Sequence, residues 1–167
     1  MLPRTRVYTL FMKKILFGMT TLALASATPA LAANYIGGSI GSGLTVHYQS
    51  DLGAGSAIRY GLNLSFFGLS SSGLTLGGGV DYLTPISGQN FGGLSPYYGF
   101  GLDAGVYLGG GSAVSIYPHV LAGLKYNVSA PLSVFAELNA GPSITVGSGT
   151  GIGFGYGGRI GLNYQLP

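Results

Sequence analysis

Two histidines and a scatter of serines are the first residues that could do chemistry. An imidazole beside a serine hydroxyl is the minimum for a hydrolase or acyltransferase acting on lipids, with the ring as general base. That chemistry needs base and nucleophile together where substrate can reach them. His119 falls in the middle of an alternating segment on its polar face, and His47 belongs to a different segment near one end. Their positions favour two packed interior histidines over a catalytic pair. Two histidines without any cysteine, among dispersed carboxylates, match no metal-ligand spacing, so no metal or other cofactor is expected. Gly153, Gly155 and Gly158 spell G-x-G-x-x-G, but the surrounding residues alternate as a strand and no helix follows, so a dinucleotide site lacks its context. The two N-x-S sequons, at Asn63 and Asn127, fall in an expected strand and an expected turn.

What remains is a set of six charges: Arg59, Asp81, Asp103, Lys125, Glu137 and Arg159. They balance, three against three, as a poorly hydrated interior requires. Each lies in a segment of roughly ten residues with strict two-residue alternation, bounded by Gly, Ser, Asn or Pro. Eight such segments are expected as strands: 34–41, 44–49, 57–67, 74–84, 97–108, 113–126, 132–146 and 152–166. In every one the even-numbered positions are apolar, apart from Asn34 and Thr84 at segment ends. The six charges and both histidines are all odd-numbered, a segregation with about one chance in 130 if side-chain parity were random. Arg59 and Asp81 fall on neighbouring strands, as do Glu137 and Arg159, and salt bridges are expected within each pair. Counted from the tyrosine-bearing strand ends, Arg59, Asp81 and Lys125 are expected low. Asp103, Glu137 and Arg159 are expected roughly 12 Å higher, with Asp103 completing the upper cluster.

Composition decides which face meets water. The chain has 167 residues, 7% charged and 32 of them glycine, with no cysteine or tryptophan; ordinary globular domains average about 25% charged and about 7% glycine. A soluble barrel that binds hydrophobic ligands would need its polar face outside, and six charges are too few to dissolve it. An eight-stranded barrel has an interior just wide enough for side chains to fill, and glycines facing bulky residues suit that packing. The expectation is an all-β, antiparallel, up-and-down transmembrane barrel of eight strands, whose apolar face meets lipid and whose interior is filled by charged and aromatic side chains.

The amino-terminal residues fit export. Met12-Lys13-Lys14, the apolar run Ile15 to Ala25, and Ala30-Leu31-Ala32 form the basic, hydrophobic and small-residue parts of a signal peptide. The 11-residue apolar run is about half what a membrane-spanning helix needs. The domains are therefore 1–32, a signal peptide with Met12 as an alternative start, and 33–167, the barrel. Without residues 1–32 the net charge of +3 turns slightly acidic, which leaves no case for a nucleic-acid partner. Tyr48, Tyr82, Tyr126 and Tyr164 close strands while Tyr60 and Tyr98 open them, so all six outward tyrosines are expected at one rim as an interfacial girdle against membrane lipid. With both termini periplasmic, that rim is the periplasmic one, and the outer loops, at 68–73, 109–112 and 147–151, are short and uncharged.

On this pattern the chain resembles the small eight-stranded outer-membrane barrels of bacteria, the group that includes the membrane domain of outer membrane protein A. The most specific stretch is R-I-G-L-N-Y-Q-L at Arg159 to Leu166, similar to the C-terminal signal read by the barrel-insertion machinery. The resemblance implies an outer-membrane protein with a structural or weak, non-specific permeability role and no enzymatic activity.

Overall fold

The computed structural model describes residues 33–53, 55–66, 74–108, 112–147 and 150–167. The signal segment and most of the three outer loops lie outside the described residues. Eight strands run in order: β1 (Asn34–Gly41), β2 (Leu44–Gly53), β3 (Ser56–Phe66), β4 (Leu74–Pro85), β5 (Leu94–Leu108), β6 (Ser112–Ser129), β7 (Leu132–Gly147) and β8 (Gly151–Gln165). Each pairs antiparallel with the next, and β8 pairs with β1 to close a barrel. The strands match the expected segments, β3 and β8 displaced by one residue and β2, β4, β5, β6 and β7 running longer. In the 85–96 connection the hairpin continues through Ile86 N to Pro96 O, which leaves a much shorter turn than the sequence suggested.

The alternation sets the faces. Outward even-numbered side chains such as Leu62, Leu102, Val120, Leu138 and Ile160 are exposed, whereas inward Arg59, Asp81, His119, Phe135 and Glu137 are buried. A layer of hydrophobic side chains therefore faces outward and polar groups face the axis, the reverse of a soluble barrel. The six tyrosines of the expected girdle sit at outward positions towards the end that carries the termini, with Tyr48 opposite Tyr60 and Tyr82 packed on Phe100 at 5.4 Å.

The lumen is filled by a repeated device. Where an inward glycine occupies one strand, the inward side chains of its two register neighbours meet over it. Gly101 lies between Asp81 and His119, Gly123 between Tyr97 and Glu137, Gly37 between His47 and Asn163, and Gly99 between Leu83 and Leu121. A Cβ at Gly101 would stand 2.7 Å from His119 Nε2, and one at Gly123 would stand 2.7 Å from the Tyr97 hydroxyl, so these contacts require a bare backbone beneath them. Leu83, Leu121, Ala57 and Tyr97 form a buried apolar cluster inside the terminal end.

Besides register shifts at Asp51/Gly53 and Asn127/Ser129, two irregularities mark the wall. Pro118 and Pro142 face each other across β6 and β7, and between Ile116↔Ile144 and Val120↔Ala140 the ladder is interrupted although the register is kept. Neither proline has an N–H to donate. The second concerns β8. From Arg159 to Gln165 it pairs on both sides, but from Gly151 to Gly158 it pairs with β7 alone, because β1 ends at Gly41.

Candidate functional site

The polar centre lies where the rows bridged by Gly101 and Gly123 meet on the axis. Arg59 projects from β3 and reaches past its neighbours, donating from Nη1 to Glu137 Oε1 at 2.6 Å. Its guanidinium also lies over the Phe135 ring at 4.7 Å and donates to Gln49 Oε1 at 3.3 Å. Arg159, on β8, donates from Nε to Glu137 Oε2 and from Nη2 to Asp81 Oδ2 at 2.7 Å. Glu137 accepts a third bond from the Tyr97 hydroxyl at 2.5 Å. His119 Nε2 meets Asp81 Oδ1 at 3.1 Å, its Nδ1 meets the Tyr117 carbonyl at 3.2 Å, and its ring stacks on Tyr117. Two guanidiniums and two carboxylates thus form one continuous, internally neutral network. Each carboxylate has several donors, the condition under which buried ion pairs are tolerated.

This arrangement corrects three expectations. Arg59 bonds Glu137 across the lumen and forms no ion pair with Asp81, its register neighbour, among the described residues. Arg59 and Asp81 of the supposed lower cluster and Glu137 and Arg159 of the upper one form a single layer. Asp103 does not complete a Glu137–Arg159 cluster: it accepts from Asn63 Nδ2 at 3.3 Å and stands 3.9 Å from His119 Nδ1. Two physical reasons account for this. Strands in a closed barrel are tilted and staggered, so equal counts from the rim are not equal heights. An arginine is also long enough to carry its charge past the adjacent strand to the axis. The Glu137–Arg159 pair is present as the spacing suggested, and Lys125 enters no ion pair among the described residues.

Towards the terminal end, His47 Nε2 donates to Asn163 Oδ1 at 2.6 Å, and the His47 ring meets Phe135 edge-on. Towards the other end the lumen opens into a vestibule of about 590 Å³. Its walls carry the hydroxyls of Thr45, Thr75, Ser115 and Thr145 and the carboxamides of Asn63 and Asn139, over a floor of Asp103 and Arg159. Arg159 is committed to its two carboxylates, while the Asp103 side chain keeps 31% of its surface open.

The two histidines are engaged in bonds within the barrel. Both ring nitrogens of His119 face oxygen acceptors, and neither histidine bonds a hydroxyl nucleophile among the described residues. No group of three or more possible metal ligands occurs among the described residues. Tyr97, Gln49 and Asn163 are site members that alternation alone passes over: being uncharged, they raise no question of pairing, yet their odd positions already put them inside.

No protein-family model matches the chain, and no curated protein does. Solved structures match by shape. The N-terminal β-barrel domain of Pseudomonas aeruginosa OprF superposes with a TM-score of 0.56 at 15% identity, over 81% of this chain and 96% of that domain. Neisserial surface protein A superposes with a TM-score of 0.54 at 16% identity, over 81% of this chain and 94% of its own. This chain has the fold of the small eight-stranded outer-membrane barrels. The filled lower lumen agrees with what an eight-stranded outer-membrane barrel can hold, since its bore admits side chains and little else.

Proposed function

We propose that this barrel resides in the bacterial outer membrane as a structural, non-enzymatic component whose lumen is closed to through-passage of solutes. The observation that carries the reading is the single layer of Arg59, Glu137, Arg159, Asp81, His119 and Tyr97, hydrogen-bonded wall to wall across the bore. The exposed aliphatic outer face supports lipid as the surrounding solvent. The six outward tyrosines support a girdle at the periplasmic interface. A lipid-modifying enzyme finds no support in the geometry of either histidine, and a soluble carrier of hydrophobic ligands finds none in a polar interior.

The absence of cysteine allows a clean test. Single cysteines at Leu102, Asp103, Leu138 and Asn139, labelled with a fluorophore in the reconstituted protein, are expected to split by parity. Labels at 102 and 138 are quenched by lipid-borne quenchers, and those at 103 and 139 are not. Conductance across a planar bilayer is expected to stay at baseline for the unmodified protein. Water-accessible labels at 102 and 138 would refute the membrane placement, and steady open channels would refute the closed lumen.

A further inference from the structure

The unpaired stretch of β8 has a consequence for what the vestibule can receive. From Gly151 to Gly158 no described strand lies on the β1 side of β8, so alternate backbone N–H and C=O groups along that edge point into a gap above the β1–β2 turn. Open sheet edges do not persist against hydrocarbon; they are tolerated at membrane depth only where they line a hydrated cavity. Such a cavity is present. The vestibule is lined on this side by Gly153, Gly155 and Gly157, which face inward, and also by Phe154 and Tyr156, which face outward. At this edge no described strand closes the wall, so the vestibule adjoins the outside along β8. Ile152, Phe154 and Tyr156 are 82%, 72% and 86% exposed, among the most exposed large side chains of the barrel.

The height of this gap matters. Its floor, Gly41 opposite Arg159, lies five residues above the Ile36–Tyr164 pair at the tyrosine rim. That is about 12 Å at a tilt near 40°, while the apolar band of such barrels is about 25 Å tall. With the rim at the periplasmic interface, the gap begins roughly halfway up the band and faces the acyl chains of the outer leaflet.

We propose that this notch is a lateral binding site for a single-chain amphiphile with an uncharged, hydroxyl-bearing head. The head enters the vestibule from the side and the alkyl chain stays in the bilayer against Ile152, Phe154 and Tyr156. Its occupant follows from two complementarities. The free edge of β8 needs hydrogen-bonding partners that a hydroxylated head supplies, and Asn63 and Asn139, already bonded to Thr45, Asp103 and Tyr117, keep further donor and acceptor capacity in the same space. Asp103, open to the vestibule without a short ion pair, disfavours an anionic head. The proposal rests on the membrane placement argued above and goes beyond it by giving the upper lumen a ligand.

The test uses the full barrel in phospholipid nanodiscs with amide resonances followed by NMR, and 1-decanoylglycerol as the probe. Saturable shifts are expected at Gly153, Gly155 and Asn63. Glycerol at the same concentration should leave them unmoved, because without a chain it gains nothing at the notch, and decanoate should bind more weakly. Gly153→Trp points into space where a Cβ meets nothing within 4 Å; it should weaken binding about ten-fold, the equivalent of roughly two buried methylenes. If that variant does not fold, Ser143→Phe on the facing strand fills the same space. The site is refuted by shifts spread evenly around the barrel, by equal binding of glycerol or decanoate, or by unchanged affinity in the filled variant. A lipid-borne spin label that broadens Leu102 and Leu138 reports the membrane placement independently of all these outcomes.

Discussion

The two ends of this barrel solve opposite problems with the same strands. Towards the termini every strand is paired on both sides, an apolar cluster seals the bore, and above it the charges close on one another. Towards the hairpin loops the walls of β5 to β8 stand taller than β1 and β2, the lumen is hollow, and β8 has a free edge. The difference comes from side-chain size and strand length. Below, glycines alternate with arginine, glutamate, histidine and aromatics that reach over them. Above, serine, threonine and glycine line most of the wall, and Tyr107, Tyr117, Asn63 and Asn139 stay along it and leave the vestibule open. A short β1 converts a change of filling into a change of wall.

The largest effect that would break this contrast is expected at the closed end. Glu137→Ala leaves Arg59 and Arg159 without their shared carboxylate in a buried layer. Loss of one partner of a buried pair costs about 3–5 kcal/mol, to be read from urea unfolding in lipid vesicles. A cost under about 1 kcal/mol would mean that the layer is hydrated and the two ends are alike.

A lipid-facing arginine sharpens the comparison. Leu102→Arg is expected to cost about 2–4 kcal/mol at mid-bilayer. Phe154→Arg, beside the hydrated notch, should cost no more than about 1 kcal/mol because its head finds water there. Equal penalties would place the notch in dry hydrocarbon.

The smallest substitutions compare the two fillings directly. Gly101→Ala inserts a methyl between Asp81 and His119 and should cost about 1–3 kcal/mol through overpacking. Gly153→Ala meets open space and should lie within about 0.5 kcal/mol of the parent.

Much of this architecture is legible in the sequence, and the illegible part has a definite cause. Alternation assigns each residue to a face, which is why Arg59, His119 and Glu137 can be placed inside from their numbers alone. It leaves open whether the short first hairpin is two strands or one, because both segments fall below the usual spanning length; the structure has two, Asn34–Gly41 and β2. Alternation carries no height, however, and the choice of ion-pair partner depends on height. Glu137 joins Arg59 because stagger and side-chain reach bring β3 and β7 to one level at the axis, information held in the register of the whole closed barrel. Tyr97 escapes notice for a related reason: beside outward Tyr98 it looks like part of the same aromatic pair, yet parity sends it to Glu137. The free edge of β8 follows from strand lengths only once β1 is known to pair with Tyr35 to Gly41 opposite Gln165 to Arg159.

The glycines beneath the crossing side chains invert a familiar expectation about which sites tolerate change. Many aliphatic residues serve equally well on the oily exterior, so drift can accumulate there with little penalty. At 37, 99, 101 and 123 the smallest possible group is the only one that lets two other strands touch, and a single misincorporated methyl disturbs three strands together.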